Sequence, residues 1–317
     1  MSFNSSQHRA IRHGDGPMLV LAGPGSGKTL VITERTKYLI KERKVHPSNI
    51  LVVTFTKAAA AEMKKRFEKS MGSGCAVTFG TFHAVYFTIL KHAYHYSAQN
   101  IIREEQRYQC MREIIAREHL DYEDEAEFIA ALLGEIGTVK NSGIAIENYY
   151  SKNCAEHTFR TVFGKYQEFL RRNRLIDFDD MLVYTRELFE QRKDILSAWQ
   201  EKYQYILVDE FQDINKIQYD VVKLLAGKRK NLFIVGDDDQ SIYRFRGAKP
   251  EIMLHFKEDF PEAETVLLDV NYRSCKNIVA AAGNLISHNR ERFPKKIAAA
   301  DRGDTPVEWK LFESQRE

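Results

Sequence analysis

The chain has 317 residues, enough for roughly two domains at about 150 residues each and for a sizeable buried core. Hydrophobic residues make up 44% and charged residues 29%, which excludes fibrous, collagen-like and wholly disordered chains. Lys and Arg number 47 against 44 Asp and Glu, so the net charge of +3 neither requires nor excludes a polyanionic partner.

The four cysteines, Cys75, Cys110, Cys154 and Cys275, are far apart with no C-x-x-C pair, so neither zinc nor a disulfide framework is expected. The N-terminal stretch lacks an apolar h-region, and no apolar run approaches the ~20 residues that span a bilayer. A cytoplasmic protein with no membrane partner is the expectation.

Six short apolar runs, rich in β-branched residues, read as buried strands: Met18–Ala22, Ile50–Thr54, Ala76–Phe79, Tyr205–Val208, Leu232–Val235 and Thr265–Leu268. Helical segments such as Thr29–Lys41 and Lys57–Lys69 lie between them, and such alternation predicts a parallel, doubly wound α/β sheet with ligands at the carboxyl ends of its strands. From Val85 to Lys202 no strand is evident, so a helical insertion is expected there. Its acidic patch at 121–128 reads as a solvated helix face or loop. Trp199 and Trp309 have no motif around them and are assigned to packing.

The strongest local signal is Gly23-Pro-Gly25-Ser26-Gly27-Lys28-Thr29, between an apolar strand and a helix. It opens at Ala22, with Gly23 taking the place of the first glycine. Such a loop closes backbone N–H groups around phosphate oxygens at a helix N-terminus. Lys28 reaches the β- and γ-phosphates, and Thr29 is a ligand for Mg²⁺. The second signal is the strand Tyr205–Val208 ending in Asp209 and Glu210. Here Asp209 is read as holding the ion and Glu210 as the base that activates water. The third follows Leu232–Val235, where Gln240 is placed to sense the γ-phosphate. The Tyr243-Arg244-Phe245-Arg246 run that follows interleaves aromatic and guanidinium groups, as single-strand binding needs.

These motifs, in this order, resemble superfamily 1 helicases of the UvrD/Rep/PcrA type. Phe3-Asn4-x-x-Gln7 resembles the family's Q motif, which implies that Gln7 reads the adenine edge. Thr54-Phe55-Thr56-Lys57 and Thr81-Phe82-His83-Ala84 resemble its DNA-contacting segments and imply that Phe55 and His83 touch single-stranded DNA. Ile176-Asp177-Phe178-Asp179-Asp180 resembles its D-F-D-D segment. Asn271-Tyr272-Arg273-Ser274 resembles motif IV, which implies that Tyr272 stacks on adenine and Arg273 meets the γ-phosphate. The basic face at Lys64, Lys65, Arg66 and Lys69 is read mainly as solvated helix. Leu30 stands where close relatives often carry arginine, and Lys57-Ala58 where the commonest form is Asn-Lys.

The expectation is therefore the N-terminal half of a helicase with a RecA-like P-loop NTPase sheet. Residues 1–88 and 203–269 form the first RecA-like domain, 89–202 an all-helical insertion, and 270–317 the start of a second RecA-like domain. Val307–Phe312 is expected as an early strand of that domain. The resemblance implies ATP and Mg²⁺, single-stranded DNA and duplex–single-strand junctions as partners, 3′-to-5′ movement, and work in repair or replication. No later arginine matches the family's arginine finger, so weak ATP turnover is expected of these 317 residues alone. Two rival readings stay open: the motor part of a RecB- or AddA-like helicase–nuclease, and a non-catalytic ATP- or DNA-binding module.

Overall fold

Six short strands of β-branched and aliphatic residues form one parallel sheet: β1 (Met18–Ala22), β2 (Ile50–Thr54), β3 (Thr78–Thr81), β4 (Tyr205–Val208), β5 (Leu232–Gly236) and β6 (Glu264–Leu268). The computed structural model describes residues 3–241, 248–300, 303, 306–311 and 314. The strand order is β3-β2-β4-β5-β1-β6, with every neighbouring pair parallel. The strand expected at Ala76–Phe79 forms two residues later. Its register pairs Leu51 with Thr78 and Thr54 with Thr81, and Thr81 then caps the next helix by accepting from Ala84 N–H.

Side chains alternate across the sheet as strand geometry requires. Met18, Val20 and Ala22 of β1 face the helices α1 (Ser5–Arg12), α2 (Lys28–Lys41) and α3 (Lys57–Met71), while Leu19 and Leu21 face the opposite layer. That layer contains α4 (Phe82–Tyr94). The helices α5 (Glu104–Arg117), α6 (Glu125–Ser142) and α7 (Glu156–Arg172) instead close a core of their own, built on Met111, Leu132, Ile136, Phe159 and Tyr166. The next two, α8 (Phe178–Gln191) and α9 (Lys193–Lys202), return to the sheet. Met181, Leu188, Phe189 and Trp199 share a core with α4, with α10 (Lys216–Ala226) and with the sheet. The buried residues of the separate core run from Ile102 to Leu170. The acidic patch at 121–128 leads into α6, whose first turn is capped by Asp124.

After β5 come two one-turn helices, α11 (Glu251–Leu254) and α12 (Phe256–Asp259), and beyond β6 the chain leaves the sheet. There β7 (Val270–Asn271) pairs with β8 (Ala298–Ala299), with α13 (Lys276–Ile286) between them. No residue of α13 is buried. Two expectations fail at this end. Residues 306–311 form no strand, because no described segment supplies a ladder for them. Trp309 is 87% exposed rather than packed. Among the described residues no helix is long and apolar enough to cross a membrane.

The D-F-D-D segment joins the insertion to the sheet domain. Lys140, near the end of α6, lies 2.7 Å from both Asp177 Oδ2 and Asp180 Oδ1, and all three side chains are buried. Tyr166 donates its hydroxyl to Asp177, and Asn141 donates to Asp179. Removing one partner of a buried pair strands the others' charge. Lys140→Met is thus expected to lower unfolding free energy by about 3–5 kcal/mol, read from urea denaturation.

Candidate active site

The carboxyl ends of β1, β4 and β5 fall on one edge of the sheet, so the turns after them converge. The turn after β1 is built for close approach. Gly25 has φ +65° and Gly27, the N-cap of α2, has φ +90°, a region that side chains rarely adopt. A Cβ on Gly25 would also stand 2.6 Å from Arg273 Cβ. Buried Ser26 donates its hydroxyl to Gly23 carbonyl at 2.7 Å, which folds the turn on itself.

Gly25, Ser26, Gly27, Lys28 and Thr29 line one wall of a cleft of about 580 Å³. Glu210, Gln240, Tyr272 and Arg273 line the rest, together with Leu30, Glu62 and Arg66. Lys28 Nζ sits 2.7 Å from Glu210 Oε2. Glu210 holds φ +49°, an unusual conformation for a residue with a Cβ and a common sign of a functional position. The Gln240 amide donates to Asp237 Oδ2 at 2.7 Å. Tyr272 N–H donates to Gly25 carbonyl, and Asn4 donates to the Tyr272 hydroxyl, so the segment after β7 is seated directly on the P-loop.

Gln7 is placed differently. It is buried beneath the loop, its Nε2 donating to Ser26 carbonyl at 3.1 Å and its Oε1 accepting from Asn4 N–H. It supports the P-loop from behind and is not one of the cleft-lining residues.

Asp209 is 4% exposed, and its Oδ1 has no hydrogen-bond partner among the described residues. Burial first, then the neighbouring Glu210 carboxylate, push the Asp209 carboxyl up to about 7. An orphaned carboxylate oxygen with the cleft-lining Thr29 offers the all-oxygen donors that a hard divalent cation takes. These residues fit Mg²⁺.

Phe55 and His83 meet in a second cavity of about 430 Å³ between the sheet domain and the insertion. Asp179, Asp213 and Arg107 also line it. Burial lowers the His83 pKa, opposed by Asp179, so the ring is neutral near pH 7; it packs edge-to-face on Phe178. Tyr243, Phe245 and Arg246 lie outside the described residues. The sequence reading missed two groups. Arg66, read with the solvated basic face, and Glu62, given no role of its own, reach the cleft from α3; their spacing of one helical turn was the available signal. Gln212 donates to Glu210 Oε2 at 2.9 Å and accepts from Asp237 N–H at 3.0 Å, so it bridges the ends of β4 and β5.

A parallel α/β sheet with a glycine-rich loop before α2 and an acidic pair after a neighbouring strand defines a P-loop NTPase of the RecA-like class. A family model described as the UvrD/REP helicase N-terminal domain matches residues 3–261, and the chain belongs to that family. It is 42% identical over 318 residues to an ATP-dependent DNA helicase PcrA of Staphylococcus epidermidis (strain ATCC 35984), covering 97% of this chain and 43% of the relative. Against the PcrA of Staphylococcus aureus (strain Mu50) the identity is 40% over 316 residues, covering 96% and 43%. The chain thus spans less than half the length of these relatives.

The raised Asp209 carboxyl has a stability consequence. Its folded pKa lies above the unfolded value near 3.9, so its contribution is full below about pH 4 and is lost as pH rises through about 7. Without divalent cations, Asp209→Asn is expected to raise the thermal midpoint relative to the parent, by a margin that widens from pH 5 to pH 8. A margin independent of pH contradicts the assignment.

Proposed function

We propose that the chain is the motor part of an ATP-dependent DNA helicase or translocase, in which ATP hydrolysis drives movement along single-stranded DNA. The observation that carries this reading is the convergence of Lys28, Glu210, Gln240 and Arg273 on one cleft from four separate stretches of sequence. The relatives' naming as DNA helicases supports the substrate class.

In this mechanism the P-loop N–H groups and Lys28 hold the β- and γ-phosphates. Lys28 and Arg273 offset charge as it spreads over the transferring group. Glu210, freed from Lys28 by the entering phosphate, takes a proton from the attacking water. Thr29 and Asp209 would hold Mg²⁺, which when bound neutralises phosphate charge. Tyr272 and Arg66 border the nucleotide, and Gln7 keeps the P-loop in shape from behind. Gln240 senses the γ-phosphate and passes its state to the Tyr243–Arg246 segment and to single-stranded DNA.

Residues 1–88 and 203–269 act as the first RecA-like domain, and 270–317 begin the second, the cleft opening and closing between them. Phe55 and His83 contact DNA in the second cavity. The family resemblance extends this to 3′-to-5′ movement, duplex–single-strand junctions and a cytoplasmic role in repair or replication.

The test is steady-state ATP hydrolysis with and without a single-stranded oligonucleotide, against a Lys28→Ala control. DNA stimulation that disappears in the control is the expected result. Glu210→Gln is expected to keep nucleotide affinity while turnover falls at least ~100-fold, the usual scale of a general base; near-normal turnover removes Glu210 from that role. Gln240→Ala is expected to bind ATP but lose stimulation by DNA, measured in the same assay.

A further inference from the structure

The loop after β5 carries Asp237, Asp238 and Asp239, whose carboxylate oxygens can all lie within 4.8 Å of one another. Carboxylates so close repel unless a cation compensates them. That cation comes from a distant part of the chain. Lys295 Nζ lies 2.5 Å from Asp237 Oδ1, 2.5 Å from Asp238 Oδ1 and 2.9 Å from Asp239 Oδ2, and its side chain is 1% exposed. Arg292 adds a two-pronged contact to Asp239 at 2.7 and 2.6 Å, and Phe293 N–H donates to Asp238. With an ammonium already among them, these carboxylates are not read as metal ligands.

Asp237 is also the acceptor for Gln240 Nε2, and its own N–H is held by Gln212, which in turn holds Glu210. Two residues beyond Lys295, Ile297 lies against the P-loop, its Cδ1 2.7 Å from where a Cβ on Gly23 would stand. The strap 292–297 thus touches the β5 loop and the P-loop together.

We propose that Lys295 is a positioning residue for ATP turnover: it fixes Asp237, and through Asp237 it aims Gln240 into the cleft. This rests on the reading of the cleft as an ATPase. A glutamine amide has many rotamers, and a hydrogen bond to a charged acceptor that is itself locked by a buried ammonium selects one of them. Without Lys295 the three carboxylates repel, and Asp237 loses its fixed place.

The experiment uses the full-length protein. Lys295→Met is expected to cut DNA stimulation of ATP turnover at least ~10-fold, while nucleotide Kd stays within about threefold, and adding it to Gln240→Ala should cause no further loss. Unchanged stimulation, or losses that multiply, overturns the proposal. Should Lys295→Met fold poorly, Lys295→Met with Asp238→Asn keeps the cluster's net charge. Stimulation that stays low while the thermal midpoint recovers supports positioning; stimulation that returns with the midpoint marks Lys295 as merely structural. The cycle of Lys295→Met and Gln240→Ala can also be read in thermal midpoints, without ATP or DNA. If the unaltered protein shows no DNA-stimulated turnover, the helicase reading fails separately. The thermal cycle then decides for Lys295: non-additive shifts support the Lys295–Asp237–Gln240 chain, and additive shifts overturn it.

Discussion

Gln212 sits between two strand ends. Its amide donates to the Glu210 carboxylate after β4 and accepts from the Asp237 N–H after β5. The approach is close enough that a Cβ on Gly236 would stand 2.8 Å from Gln212 Oε1, so the last residue of β5 has to be glycine for the bridge to form. The β5 loop, Gln240 included, is tied to Glu210 by this amide in addition to the β4–β5 ladder. Because Glu210 also holds Lys28, the P-loop, the acidic pair and the β5 loop form a single hydrogen-bonded unit. Parallel strand order makes that unit possible, since it delivers all three turns to the same edge of the sheet.

The strands were legible because buried parallel strands are short, apolar and β-branched, and Met18–Ala22, Ile50–Thr54 and Tyr205–Val208 match the expected bounds. The shift at Thr78–Thr81 arose because Ala76 and Val77 are as apolar as a strand while the ladder with β2 sets the register. Lys28, Glu210 and Gln240 stood out as candidates because phosphate chemistry restricts residue type and spacing together, whereas Arg273, which lines the same cleft, was implied only by the resemblance to motif IV. Gln212 was not, because an amide between two carboxylates carries no chemistry of its own and its value lies in a neighbour from another strand. Lys295 was invisible for the same reason: a lysine in a basic run reads as solvated until three carboxylates from a distant loop close around it. Trp309 failed in the opposite sense, an aromatic residue taken as core that the fold leaves outside.

Gln7 shows how a motif residue can stand behind a site. Both ends of its amide are engaged, one with the backbone of its own N-cap and one with the Ser26 carbonyl. It ties the N-terminal helix to the phosphate loop, so movement at that helix is felt where the phosphates sit. The αL conformation of Glu210 belongs to the same economy: backbone strain is tolerated there because Lys28 and Gln212 hold the side chain from two sides.

The joint between α6 and α8 bears on how force passes through the molecule. Lys140 and its two carboxylates are sealed from solvent, and mobile ions screen charges that they can surround but not those they cannot reach. The attachment of the helical arm is therefore stiff at any ionic strength a cell offers, whereas contacts with a polyanion on the open surface loosen as salt rises. A load placed on the sheet domain therefore reaches that arm without slack, and what gives way as salt rises is the open surface rather than the frame.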